Sequence, residues 1–436
     1  NSNLDHESLL SEFADFLLDP ALAEQVRLRP GAFTRDRKLT LPRLAAMMIS
    51  GMCASVQAEL DAFFGRLHAV PGRIREVSAQ AFSKARQGFS GRLFELASAH
   101  LLHLARPHIE AARWNGRRVV AADASRLRVS TRKTAALTAD HYAFALFLPG
   151  TELTLHASLH PADGSERQML FEALDALDPA QDLLVLDRGY VGNTMAATLA
   201  QHGMAFCLRV DASGWRCVAD FRRSNEAERV VTLSPPTARD ASTFDLARTA
   251  TTVRLIRNIA PNGQIRVLMT NLLDAQSYPA AQFSALYHQR WRVEEAFKRI
   301  KHRLRLEATT GLNYLALQQD FAAKILADNL CALLSGSGTD DAIQTGSRPN
   351  RTYAFGALKP ILAGCLLGIA QAWAALPDTL AAMGRSRCRI QPGRSYPRPP
   401  RSKPHLHMSY KGALVESIAS HTHREVRDDF GEQYFE

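Results

Sequence analysis

The spacing of apolar residues divides the chain into helical and extended stretches. Over residues 1–107 the apolar positions recur at helical intervals. "LTLPRLAAMMISGMCASVQAELDAFF" reads as a helix with Thr40 as N-cap and Pro42 in the first turn, where its missing N–H is tolerated. "VSAQAFSKARQGFSGRLFELASAHLLHLA" reads as two helices parted at Gly88 to Gly91. The texture changes at "RRVVAADASRLRV" (117–129), a short apolar run that predicts a strand. "YAFALFLPG" and "TELTLHASLH" predict a hairpin about a Pro-Gly turn. "SERQMLFEALDAL" returns to helical spacing, and "QDLLVLDRGYVG" is a buried strand running into a polar loop. "NTMAATLAQHG" is a helix closed by Gly203, and "MAFCLRV" is another strand.

Three strands, a helix, a strand, a helix and a strand, in that order, match an α/β ribonuclease H-like core whose first three strands form an antiparallel meander. Beyond it, "WRCVADF", "RVVTLS", "TTVRLIRNI" and "QIRVLMTNLL" are strand-like, with turn signals such as Pro-Asn-Gly between them. "YHQRWRVEEAFKRIK" (287–301) is helical, and "SGSGTDDAIQTGSRPNR" after residue 335 reads as a linker. "PILAGCLLGIAQAWAAL" (360–376) opens with Pro360 and contains Gln371; it is at the short edge for a membrane span and reads as a buried helix. The expected organisation is a helical DNA-binding region (1–107), the first part of the core (108–210), a β-rich insertion (211–265), the second part of the core with the charged helix (266–335), and a C-terminal helix with a basic, proline-rich tail (336–436).

Composition narrows the partner. With 436 residues, 46% of them hydrophobic, the chain can build more than one core. Its formal net charge of +10 points to a polyanion, nucleic acid before membrane. Between 385 and 411 stand eight Lys or Arg, five prolines and no acid, a segment held extended whose bases can pair with phosphates or else form an incidental solvated tail. Lys84, Arg86 and Arg92 flank the Gly88–Gly91 break, which suits either a helix-turn-helix DNA reader or a helical bundle that is basic outside. The six cysteines are dispersed with no C-x-x-C pair, which argues against a zinc ribbon and a disulfide framework and fits a reducing cytosol. There is no H-E-x-x-H and no secretory signal, and the chain begins at Asn1 rather than Met.

Two aspartates stand where a carboxylate is costly. Asp123 interrupts "VVAADAS" and Asp187 ends "LLVLD". A carboxylate at the carboxyl end of a core strand faces the ligand crevice of an α/β sheet, and two on separate strands suit a hard cation. On a helix at 100° per residue with Tyr287 at 0°, Arg290 falls at about −60°, Glu294 at about −20° and Lys301 at about −40°. These share one narrow stripe beside the core-facing positions Val293, Phe297, Ile300 and Leu304. Glu295 falls near +80°, Ala296 near 180°, and Arg292 and Arg299 near +120° to +140°, all away from the core. The phase therefore selects Glu294 over Glu295. An ordinary amphipathic helix with a Glu294–Lys298 ion pair accounts for the charges but not for the shared stripe.

The spacing Y-x2-R-x3-E-x6-K of Tyr287, Arg290, Glu294 and Lys301 resembles the signature of bacterial insertion-sequence transposases of the IS-four type, within the DDE class. "RWRVEEAFKRIK", "DRGY" and "LMTNLLD" resemble that family too, over roughly residues 75 to 330, as do "RPNRTYAF" and "RSYPRPPRSKPH" in the tail. One departure is "DAS" after the first acid, where "DGS" or "DGT" is commoner, and the first hundred residues match least. The resemblance implies that Asp123, Asp187 and Glu294 form a triad holding two Mg²⁺ ions, with Mn²⁺ expected to substitute. It implies that water attacks for the first nick and a DNA 3′-hydroxyl for later steps, through a hairpin on the flanking end. Arg290, Lys301 and Tyr287 would meet the cleaved strand, with Lys298 one turn beyond Glu294 as a further DNA contact. Arg188 is a phosphate candidate or a salt-bridge partner. Trp215 is a base-stacking candidate or a sheet-packing residue. The partners implied are double-stranded DNA (transposon ends with terminal inverted repeats, and target DNA) and a second copy of the chain. The location implied is cytoplasmic and nucleoid-associated, with no membrane partner. The alternatives are a catalytically silent DNA-binding descendant and a ribonuclease H-like nuclease that cleaves without joining.

Overall fold

The computed structural model describes residues 5–35, 37–129, 139–211, 214–259, 263–336 and 346–390. Seven helices come first: α1 (His6–Leu18), α2 (Pro20–Val26), α3 (Leu41–Ile49), α4 (Val56–Leu67), α5 (Ala79–Arg86), α6 (Arg92–Leu104) and α7 (Arg106–Ala111). The Thr40 side chain caps α3 by accepting from Arg43 N–H, as its position predicts. The helix expected to run on from there is two. Ile49 ends α3, Gly51 takes φ +83°, and Ser55 caps α4 afresh. Helices α5 and α6 part at Gln87–Gly91 as expected, but Arg86 is not a surface base. It is buried, donating to Gln319 at 2.9 Å and to Asp320 at 2.9 Å, so it cannot reach a DNA groove.

One eight-stranded sheet forms the centre, in the order β3-β2-β1-β4-β5-β8-β7-β6. Its strands are β1 (Arg118–Val129), β2 (Ala139–Leu148), β3 (Leu153–Pro161), β4 (Asp182–Leu186), β5 (Ala205–Val210), β6 (Glu228–Leu233), β7 (Thr251–Ile259) and β8 (Ile265–Thr270). Strands β1 to β3 are an antiparallel meander, and β4 and β5 run parallel to β1. This is the ribonuclease H-like α/β order. Between the strands lie α8 (Glu166–Glu172) and α9 (Asn193–Gln201), whose Met169, Leu170, Met195 and Leu199 share a core with Leu184, Leu186, Phe206 and Leu208. Helix α12 (Phe283–His288) covers the opposite face at Val119, Leu183, Val185 and Cys207. With both faces covered, all of "DLLVL" is buried, which explains a strand without alternation. Register is fixed where β4 begins: Asp182, fully buried, takes a bidentate pair from Arg118, its parallel partner on β1, at 2.5 and 2.7 Å.

Strands β6 and β7 extend the same sheet beyond β8. "WRCVADF", expected as a strand, is instead α10 (Arg216–Arg223), because Val218 and Phe221 bury one helical face rather than alternate sides. A short α11 (Ala238–Thr243) follows.

After α12 come α13 (Trp291–Arg303) and the long buried α14 (Tyr314–Leu334). Asn329 of α14 binds the backbone of β3, accepting from Thr154 N–H at 2.7 Å and donating to Thr154 C=O at 2.9 Å. Beyond lie β9 (Ser347–Pro349), α15 (Arg351–Leu366), α16 (Ala370–Ala374), α17 (Leu376–Arg385) and β10 (Arg387–Arg389), which pairs with β9. The apolar helix expected to open at Pro360 begins at Arg351 under an Asn350 cap, with Pro360 inside it, and it ends at Leu366. Among the described residues no helix is long and apolar enough to cross a membrane. From residue 391 the basic tail lies outside the described residues, as does most of the expected linker after 335.

Candidate active site

Ala121 of β1 pairs in parallel with Val185 of β4. Two residues further on, Asp123 in the middle of β1 and Asp187 just past the carboxyl end of β4 are neighbours on adjacent parallel strands. The period-two alternation sends both carboxylates from the face that carries Val119, Leu183 and Val185. Asp187 keeps extended backbone (φ −84°, ψ −178°) before the chain turns sharply. Its Oδ1 accepts Gly189 N–H at 2.6 Å and so opens the short 3₁₀ turn Arg188–Tyr190.

Helix α13 packs beside β1. Val293, Phe297 and Ile300 are buried, Glu294 is half-buried and Glu295 is exposed, as the helical phase predicts. Arg290, only 4% exposed, donates from Nη2 to Glu294 Oε1 at 2.8 Å, and its guanidinium stacks over Trp291 at 4.7 Å. Its Nε and Nη1 are buried without a hydrogen-bond partner among the described residues. A cation held dry with two unused donors is prepared for an anionic acceptor.

The acids act on one another. Burial, then Glu166 and Glu294, push the Asp123 carboxyl up to about 7, with Arg290 opposing and Asp187 adding. Burial and then Asp187 raise Glu166 as well. Tyr190 lies in the same field: burial, then Glu166, Asp123 and Asp187, hold its phenol well above the ordinary value. Tyr190 is fully buried, and its hydroxyl has no hydrogen-bond partner among the described residues.

This donor set fits a divalent cation such as Mg²⁺. The oxygens are hard carboxylates, they converge at a strand terminus, and their mutual repulsion is what a bound cation removes. Among the described residues no three acidic, histidine or cysteine side chains already close around one point. Arg290 holds Glu294 toward itself. The ionised Asp123 is a cost that grows as pH rises from about 4 through 7, because its carboxyl is raised in the folded state. Asp123→Asn should therefore stabilise the cation-free protein by about 4 kcal/mol at pH 8 and by less than half of that at pH 5. Urea melts in EDTA at both pH values measure this.

Other expected residues fall differently. The helix drawn over 287–301 is two pieces. Arg290 N–H bonds to Tyr287 C=O and Val293 N–H to Arg290 C=O, tightening the turn between α12 and α13. Tyr287 belongs to α12 and packs, 4% exposed, in the core beneath β1, β4 and β5. Glu294 pairs with Arg290 rather than with Lys298, which is exposed. Lys301 donates to Arg126 C=O on β1. Ala296, expected outside, is buried, and Arg299, expected on the outer basic side, pairs with Asp328 and Glu152. Helix α14 packs on α13 and turns what looked like a solvent face into an interior one. Arg188 is exposed and makes a loose pair with Asp211 at 3.5 Å. Trp215 donates from its indole to Asn193 Oδ1 at 2.7 Å and is half-buried against the core.

Glu166 and Tyr190 were not singled out by sequence reasoning. An acid in the first turn of a helix is ordinary, and Tyr190 was visible only as part of "DRGY".

The family model of the transposase DDE domain matches residues 114–330. The transposase InsG for insertion sequence element IS4 of Escherichia coli (strain K12) is 27% identical over 347 residues, which span 74% of this chain and 75% of that one. A solved structure, the cryo-EM piggyBac transposase synaptic complex with hairpin DNA, aligns over 89% of this chain and 84% of its own at a TM-score of 0.41 and 10% identity.

Proposed function

The chain belongs to the DDE transposases of the IS-four type, and we propose that it cleaves the ends of its own element and joins them to target DNA by phosphoryl transfer. The observation that carries the proposal is the crowding of Asp123, Asp187 and Glu294 by the carboxyl end of β4, next to a buried arginine with two unused donors. Asp123, Asp187 and Glu294 would hold Mg²⁺, with Mn²⁺ able to replace it. When bound, the cations supply activation of the attacking oxygen and stabilisation of the leaving oxygen in an in-line displacement. Arg290 would take a phosphate oxygen with Nε and Nη1 while Nη2 keeps Glu294 oriented. Tyr287 would act from beneath by fixing the Arg290 guanidinium, whose centre lies 6.0 Å from its ring. Lys301, Lys298 and Arg188 would contribute positive charge along the bound strand, and the half-buried ring of Trp215 offers a face for a displaced base.

We propose a cut-and-paste route through a hairpin on the flanking end, carried out by two copies of the chain on two ends in the bacterial cytoplasm. The test is incubation with the element's terminal inverted repeats and Mg²⁺, resolving nicks, hairpins and joined products on a denaturing gel. Binding without any strand cleavage would identify a silent DNA-binding relative, and cleavage without joined products a nuclease. Deleting residues 391–411, which keep five of the basic positions, should lower affinity for end DNA and flatten its salt dependence by several counterions. An unchanged slope in a filter-binding salt titration would make that tail a bystander.

A further inference from the structure

Three carboxylates carry the proposed chemistry, but a fourth faces the same place. Glu166 is the first residue of α8, which packs against β1 and β2. Its neighbour Arg167 donates to Gly189 C=O at 2.9 Å and so ties the start of α8 to the loop that follows Asp187. A Cβ built on Gly189 would sit 3.0 Å from Asp187 Oδ1 and 3.6 Å from Glu166 Oε2. The two carboxylates therefore flank one small space, and it stays open because residue 189 has no side chain.

Among the described residues no hydrogen bond or ion pair holds the Glu166 carboxylate, which burial and then Asp187 raise. Stabilising the helix start does not require it to face Asp187, since an outward acid would serve the α8 dipole equally well. A second observation points to the same space. The Tyr190 hydroxyl, fully buried and without a partner, lies under the combined field of Glu166, Asp123 and Asp187. An isolated buried hydroxyl is costly, and an ion or its hydration water among these acids would satisfy it.

We infer that Glu166 is a fourth carboxylate ligand for a divalent cation, acting with Asp187 across the space that Gly189 leaves open. The inference rests on the proposal that Asp123, Asp187 and Glu294 form the cation site, and it adds a ligand from a different helix.

The test is Mn²⁺ binding to the full chain, read from the loss of the free-ion electron paramagnetic resonance signal, so no DNA or turnover is needed. Glu166→Gln should weaken Mn²⁺ binding at least tenfold, Glu166→Asp should restore part of the loss, and Glu172→Gln, on the same helix, should change nothing. The melting temperature of Glu166→Gln in EDTA should be unchanged or higher, because a like charge has been removed. Normal Mn²⁺ affinity in Glu166→Gln together with weakened affinity in Asp187→Asn would overturn the role of Glu166 alone. Normal affinity in both would overturn the underlying cation site as well. A fall in EDTA stability in both Glu166 variants would make the residue structural and also overturn the proposal.

Discussion

Asp123→Ala, Asp187→Ala and Glu294→Ala should each lower Mg²⁺-dependent cleavage of end DNA by on the order of 10³-fold or more, while Glu295→Ala stays within a few-fold of the parent. The contrast between the two adjacent glutamates is the sharper part of the expectation. Glu294 is half-buried beside Asp123 and held by Arg290 at 2.8 Å. Glu295 points to solvent and meets Arg348 at 3.3 Å, an exposed pair worth little. A gel of strand cleavage, with a mobility-shift assay run in parallel, separates loss of chemistry from loss of DNA. Binding should persist in all four variants. Full activity in Glu294→Ala with none in Glu295→Ala would refute the helical phase on which the site is drawn.

Asp328→Ala should cost about 3–5 kcal/mol of folding stability, the largest structural effect expected of any single substitution here. Asp328 is fully buried in α14. It accepts from Arg299 of α13 at 3.0 and 2.9 Å and from Arg351 of α15 at 2.9 Å, and Glu152 from the turn before β3 closes the group. Burial acts to push its carboxyl up, yet Arg299 and Arg351 outweigh that and hold it below the ordinary range. A depressed folded value adds stability above about pH 4 that is lost as the pH falls through the folded value. The parent should therefore lose stability in acid more steeply than the variant, which keeps other depressed carboxylates such as Glu59 and Glu76. Urea midpoints from pH 7 to pH 3 measure both slopes, and a loss under about 1 kcal/mol at pH 7 would contradict the picture of a required network. Because Arg299 is five residues from Glu294 on the same helix, cleavage should fall as well.

Much of this was legible in the residues. The strand order follows from local patterns, since each core strand is a short run of branched or aromatic residues bounded by turn signals. Asp123 and Asp187 stand out because each breaks or ends such a run. Glu294 is selected by helical phase alone. What was not legible depends on segments distant in sequence. Arg299 and Ala296 look solvent-facing until α14 packs on them, and Arg86 looks like a DNA reader until Asp320 and Gln319 arrive to neutralise it. Glu166 hides among the many acids that start helices. "WRCVADF" is short enough for apolar spacing of three to pass for alternation.

The Asn329 clamp on Thr154 bears on how copies of the chain can associate. At β3, the first strand in the sheet order, the amide already occupies the outward N–H and C=O at this position, beside a bulge where the β2 pairing shifts register at Leu146/Phe147. Growth of the sheet by an incoming strand is thus obstructed on one side. The opposite border is β6, where Val230 is 56% exposed, so this sheet has a polarity, and an incoming strand meets less obstruction at β6 than beside Thr154.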